Sequence, residues 1–249
     1  MSSEEDAIIL ENVTLEFPVS RSSFTMIKEL LLSGQRKTGS GTFRAVDGVN
    51  LSIKQGEVFG IIGPNGAGKS TILRLIAGIY APDKGKVKLS GRIILLAGLG
   101  AGFQGNLSGR DNLRLSGSIY GLSKEQIDEI EESVIAYSGV EQFIDQPIRN
   151  YSSGMKARLA FSLASHLEPE ILLIDEVLAV GDSSFREKSK QRILNMVRGD
   201  TTVVLVSHSE ALLREVCDRA ACFSNGRLEI ISTNIDEVIS MYHRLSEQK

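Results

Sequence analysis

Four short stretches of the 249-residue sequence place chemically capable side chains at the spacings phosphate chemistry requires. Gly63, Pro64, Asn65, Gly66, Ala67, Gly68, Lys69 and Ser70 fit the pattern GxxxxGK[ST], and Thr71 follows them. The glycines let backbone N–H groups curl around phosphate oxygens, Lys69 supplies a point charge for the β- and γ-phosphates, and the Ser70 hydroxyl suits Mg²⁺. A second stretch, Ile171 to Ile174, is an apolar run that ends in Asp175 and Glu176. Acids at the C-terminal edge of a parallel sheet face the ligand crevice. There one carboxylate, Asp175, is suited to hold the metal through its water shell, and the next, Glu176, directed at the γ-phosphate, to orient and deprotonate an attacking water. His208 follows a third stretch, VVLVS, and reaches the same edge. The fourth is Tyr151, Ser152, Ser153, Gly154 and Met155. Small hydroxyl residues and free amides at a helix start make an anion site, and they also make an ordinary N-cap.

These side chains need elements to aim them. Val58 to Ile62 is a continuous apolar run of the kind a buried parallel strand shows, and Lys69 to Ile79 reads as the helix after the phosphate loop. Ile171 to Asp175, a helix built from FREKSKQRILNMV, and Thr202 to Ser207 repeat the β-α-β order of an α/β fold. Ile8 to Leu10, Val13 to Phe17 and the alternating Ala45 to Ile53 read as further β segments. Ser123 to Gln126 is a capping box, followed by Ile127, Ile130, Val134 and Tyr137 at helical spacing and closed by Gly139. That places a helical subdomain at about 111–168, with a short helical tail at about 231–249. Residues 19–42 turn polar and basic, an insertion in which Met26, Ile27, Leu30 and Leu31 share one helical face.

Composition narrows the functional classes. Hydrophobic residues make up 42% of the chain, ample for a core, and the net charge of −3 offers no broad basic field, so no nucleic-acid partner is expected. Cys217 and Cys222 have no partnering CxxC or histidine pattern, which suits reduced structural thiols. No window approaches the roughly 18 apolar residues of a membrane helix, so any membrane role is expected to run through a partner.

Taken in order, GPNGAGKST (63–71), YSSGM (151–155), ILLIDE (171–176), AVGD (179–182) and SH (207–208) make the chain resemble an ATP-binding-cassette (ABC) ATPase over residues 7 to about 230. The resemblance implies one P-loop NTPase domain of ABC type across 1–249, with a RecA-like core, an antiparallel β subdomain and the α-helical subdomain. Its cofactors would be ATP and Mg²⁺. YSSGM stands where the family has its LSGGQ-like signature, so Ser152, Ser153 and Gly154 would serve the nucleotide of the opposite subunit. The implied unit is a homodimer with two ATPs sandwiched head to tail. By the same resemblance Asp182 lies in the loop crossing the interface, Glu176 is the catalytic base and His208 senses the γ-phosphate. Phe17 matches the aromatic that stacks on adenine, with Phe43 as the competing candidate. The family's metal-and-water glutamine position falls near Gly98 or Leu99, and Gln104 lies several residues too late.

A narrower likeness rests on GLGAGFQGNLSGRDN (98–112), EVLAVGDSSF (176–185) and YSSGMKARLAFS (151–162), which resemble the ATPase subunits that export O-antigen, capsule and teichoic-acid polysaccharides. It implies a peripheral subunit on the cytoplasmic face of the bacterial inner membrane, bound to two copies of a permease and driving a lipid-linked glycan outward. Some relatives carry a C-terminal carbohydrate-binding domain; ending at Lys249, the chain is expected to lack one. The apolar face at 26–31, flanked by Arg21, Lys28, Arg36 and Lys37, suits either the permease and membrane interface or its own domain. The alternatives are the motor of a small-solute transporter and a soluble cassette protein acting on ribosomes or DNA.

Overall fold

The computed structural model describes residues 5–18, 41–96, 100, 102–175, 183–197 and 199–247. Its elements in chain order begin with β1 (Asp6–Pro18), β2 (Thr42–Lys54), β3 (Val58–Ile62), α1 (Lys69–Ile76), β4 (Lys84–Leu89) and β5 (Ile93–Leu96). Three helices follow, α2 (Gly109–Ile119), α3 (Lys124–Ser138) and α4 (Ser153–His166). Then come β6 (Ile171–Ile174), α5 (Ser183–Val197), β7 (Thr202–Val206), α6 (Glu210–Val216), β8 (Arg219–Ser224), β9 (Arg227–Ser232) and α7 (Ile235–Glu247). They form two compact units. One holds the described residues up to 93, those at 170–175 and those at 199–247; the other holds those from 94 to 169 and from 183 to 197.

The first unit contains the parallel strands that the α/β reading required and the antiparallel sheet that the resemblance implied. Strands β6, β7, β3 and β8 run parallel in that order, and β9 returns antiparallel beside β8. Every residue of β3, β6 and β7 is buried, which explains why their sequences are apolar but for Thr202, whose hydroxyl accepts from Gly56 N: a strand covered on both faces has no solvent side to make polar. The second sheet is antiparallel, in the order β2-β1-β4. Here β1 is one strand where the sequence suggested two segments. A bulge accounts for the interruption: the register shifts between Leu10 and Val13, and Asn12 takes a φ of 48° while its N–H donates to Asn50 Oδ1 at 2.9 Å. Helix α1 stops at Ile76, three residues short of the expected end, because Gly78 turns into the left-handed region at φ 71°.

The second unit is helical. Ser123 and Gln126 make the expected capping box, the Ser123 hydroxyl accepting from Gln126 N and the Gln126 side chain from Ser123 N. Helices α2 and α3 meet at Glu131, a carboxylate only 5% exposed that accepts from Arg114 Nε at 2.6 Å and Nη2 at 3.0 Å, and also from Arg110 Nη1. Burial pushes the Glu131 carboxyl up, but the hydrogen bonds from Arg114 and Arg110 outweigh it and hold the group below its ordinary value. Tyr137 packs edge-on to Phe185 and His166, with the Lys188 ammonium 3.9 Å from its ring centroid. The loop before α2 is shaped by Asn112, which is fully buried. Its Oδ1 accepts from Gln104 N at 2.6 Å, and its Nδ2 donates to the carbonyls of Gln104, Leu107 and Ser108.

Candidate active site

Strand order does the assembling. Because β6, β7 and β3 are parallel neighbours, the residues leaving their C-terminal ends emerge side by side: Asp175 after β6, Ser207 and His208 after β7, Gly63 after β3. The phosphate loop then turns tightly into α1. A Cβ on Gly63 would lie 2.2 Å from the Phe223 carbonyl oxygen. One on Gly68, which holds φ 99°, would lie 2.5 Å from the Ala45 oxygen. Neither position tolerates a side chain. Gly68 is also the N-cap of α1 and supplies no side-chain acceptor, and the loop lies at the positive end of the helix, which favours an anionic ligand.

Lys69 is buried, and its Nζ donates to the Gly63 oxygen at 2.7 Å and the Pro64 oxygen at 3.1 Å. The cation thus lies folded over the loop, in reach of phosphate oxygens bound there. Ser70 Oγ and Asp175 Oδ1 are 3.3 Å apart. Asn65 and Gly66 are exposed at the loop tip, Ala67 is buried beneath it, and Thr71 is half-buried in the first turn of α1. The backbone at His208 is fixed on both sides. Ser207 N donates to the Ile61 oxygen at 3.2 Å, Ser207 Oγ accepts from Ser209 N at 3.0 Å, and Ser209 Oγ caps α6 by accepting from Leu212 N.

Phe17 and Phe43 are directly paired across β1 and β2, so both rings stand on the same face of that sheet and the two candidates are neighbours. Phe17 packs edge-on against Tyr80 with centroids 5.4 Å apart. Sequence reasoning missed Tyr80, which lies 63 positions away and carries no motif. Beside the rings, Arg44 donates to Glu16 at 3.0 Å and to Asp47 at 2.8 Å, while Arg227 reaches Asp47 at 2.6 Å. These pairs tie the strand ends that carry the aromatics.

In the other unit, Ser152 is the N-cap of α4, its hydroxyl accepting from Met155 N at 3.2 Å, with Ser153 exposed and Gly154 half-buried in the first turn. Tyr151 anchors the approach through its hydroxyl, which donates to the Phe143 oxygen at 2.6 Å. Gln104 is engaged through its backbone by Asn112, and its side chain donates back to the Gly102 oxygen at 3.4 Å. Four expectations lie outside the described residues: Glu176, Asp182, the glutamine position at Gly98 or Leu99, and the helix at 23–32. Among the described residues, no helix is long and apolar enough to cross a membrane.

The family described as ABC transporter matches residues 46–179. The chain is 44% identical over 232 residues to the O-antigen export system ATP-binding protein RfbB of Myxococcus xanthus, covering 91% of this chain and 53% of that protein. It is 39% identical over 241 residues to the protein of the same description from Klebsiella pneumoniae, covering 96% and 98%. The chain therefore spans about half the length of the first relative and nearly all of the second. Among solved structures, a dimeric ATP-binding cassette in a post-hydrolysis state, bound to ADP and Pi, superposes with a TM-score of 0.67 at 24% identity over 90% of this chain and 97% of that one, a likeness of fold.

Proposed function

Because the chain belongs to the ABC transporter family of ATP-binding proteins, we propose that it is the ATP-hydrolysing motor of an exporter carrying lipid-linked polysaccharide across the bacterial inner membrane. O-antigen, capsule and teichoic acid are the glycans of that class. The convergence of Lys69, Ser70, Asp175 and His208 at three adjacent strand ends carries the ATPase part of the reading. Near-full-length similarity to an O-antigen export protein supports the cargo.

In this reading the β- and γ-phosphates of ATP lie against the loop amides at 63–68, and Lys69 moves its bonds from the Gly63 and Pro64 carbonyls to phosphate oxygens. The Ser70 hydroxyl and Asp175 carboxylate are hard oxygen donors at 3.3 Å. Such donors suit a hard divalent cation, so the pair fits Mg²⁺ and would hold it, Asp175 through the ion's water shell. Bound there, Mg²⁺ would neutralise phosphate charge. Glu176, next in sequence to Asp175, accepts the proton of the attacking water, and His208 donates a hydrogen bond to the γ-phosphate. Phe17 and Phe43 share the face against which adenine stacks.

Ser152, Ser153 and Gly154 serve the ATP of a second copy of the chain, with Asp182 in the loop between the copies. The permease, in two copies, meets the segment at 98–112 on the cytoplasmic face of the membrane. Two features of that segment support a contact surface. Gly102 and Gly105 keep ordinary φ values and have room for a Cβ, so the chain's own fold does not demand glycine at either. Beside them Phe103, Tyr120 and Ile119, the last 69% exposed, line a groove. Deleting the gene tests the whole reading. Surface glycan should disappear while lipid-linked polymer accumulates inside the cell, and a normal glycan coat would overturn the assigned cargo.

A further inference from the structure

Helix α7 lies against α6, the short helix that begins two residues after His208. Two side-chain pairs join them, one in the first turn of α7 and one past its middle: Arg214 Nε donates to Asp236 Oδ1 at 2.8 Å, and His243 Nε2 lies 2.8 Å from Glu210 Oε1. Between these, Val238 and Ile239 are buried, 0% and 3% exposed, so the helix is seated by apolar contact as well as by charge. Tyr242 follows Ile239 by three positions and is carried toward the neighbouring helix on the same stripe. Its ring centroid stands 6.3 Å from that of His208, with the planes inclined at 54°.

The strand end and the Ser209 cap fix where the imidazole is attached, but they do not choose its rotamer. The aromatic neighbour restricts that choice. No hydrogen bond of the Tyr242 hydroxyl ties it to the described residues, so the ring itself makes the contact. We infer that Tyr242 is a positioning residue for His208: its ring holds the imidazole in the rotamer that meets the γ-phosphate, so the seating of α7 on α6 helps set the hydrolysis rate. The inference rests on the proposed role of His208, reached here from 34 positions further along the chain.

The test is a double-mutant cycle on the full chain, following MgATP hydrolysis and, separately, binding of a fluorescent ATP analogue. Tyr242→Ala should lower kcat about tenfold while KM and analogue affinity stay within about twofold, because the loss falls on a contact made in the transition state. Tyr242→Phe, which keeps the ring, should stay within about twofold of the parent kcat. Introduced into His208→Ala, the alanine substitution should change the residual rate by less than about twofold, since two residues acting through one contact are not additive. If Tyr242→Ala does not fold, Tyr242→Leu occupies the space without a ring and carries the same expectation. A kcat unchanged in Tyr242→Ala, a loss appearing in KM and binding, or a full tenfold loss on the His208→Ala background would each overturn the inference. Wild-type hydrolysis in His208→Ala would overturn the reading of His208 itself, an outcome distinguishable from an inert Tyr242.

Discussion

Replacing Gly154 by alanine separates what this chain needs for itself from what a second copy would need of it. Gly154 is helical, in the first turn of α4, and a Cβ built on it meets nothing nearer than Ser152 Oγ at 3.8 Å. Alanine is favoured over glycine inside a helix by about 0.5–1 kcal/mol; taking the lower end for a first-turn position gives a gain of about 0.5 kcal/mol. For a chain of this size that corresponds to a rise in Tm of about 1–2 °C. The effect on function has the opposite sign. The N–H groups of Ser153 and Gly154 have no carbonyl four residues back within the helix, and phosphate oxygens bonding to them must come within about 3 Å of the nitrogens. A methyl group at the same turn needs about 3.5 Å to its nearest heavy atoms, so it holds a partner's ATP away. Differential scanning fluorimetry should therefore show an unchanged or slightly higher Tm, and ATP binding to the isolated chain should be unchanged. Hydrolysis should fall at least about tenfold, as should ATP-dependent dimerisation followed by light scattering in a Glu176→Gln background. Wild-type hydrolysis would refute the two-subunit reasoning, and a Tm several degrees lower would show that the fold itself needs Gly154.

Glu176→Gln should retain ATP binding and trap the dimer while abolishing turnover; unaltered phosphate release would remove Glu176 as the base. The Glu131 carboxyl is held below its ordinary value of 4.5 in the folded protein, so its contribution to stability is complete above that pH and is lost as pH falls through the folded value. Glu131→Gln should consequently lower Tm most near neutral pH, with the gap to the parent closing below about pH 4.5, and a gap independent of pH would contradict the assigned pairing with Arg114 and Arg110. Burial pushes the Cys217 thiol up to about 12 and the Cys222 thiol up to about 11. Neither is a thiolate at pH 8, so Ellman's reagent should react slowly with the native protein and promptly with two thiols in denaturant.

Most of the proposed phosphate site was legible because it is contiguous. The loop from Gly63 to Thr71 encodes its own backbone path, and three predominantly apolar runs announced buried strands, each ending at a residue of the proposed site. The capping box at Ser123 was readable for the same reason, since its two hydrogen bonds span three residues. The bulge at Asn12 was not readable, because alternation broken by one extra residue looks like the end of a strand until the partner strand gives the register. Nor could spacing choose between Phe17 and Phe43 or show that they are cross-strand neighbours, with Tyr80 edge-on to the first.

The sequence by itself carried the readings of reaction class and of phosphate and metal ligands proposed here, and it determined the α/β architecture, since each depends on local residue order and hydrophobic period. Only the tertiary structure decided which distant side chains meet: Asn112 shaping the loop from Gln104 to Ser108 and Arg114 and Arg110 neutralising Glu131 in one unit, and Tyr242 standing beside His208 in the other. Those contacts join residues whose separation along the chain sets no distance between them. They exist because strand order and helix packing bring the pieces together, and neither is written in any one short stretch.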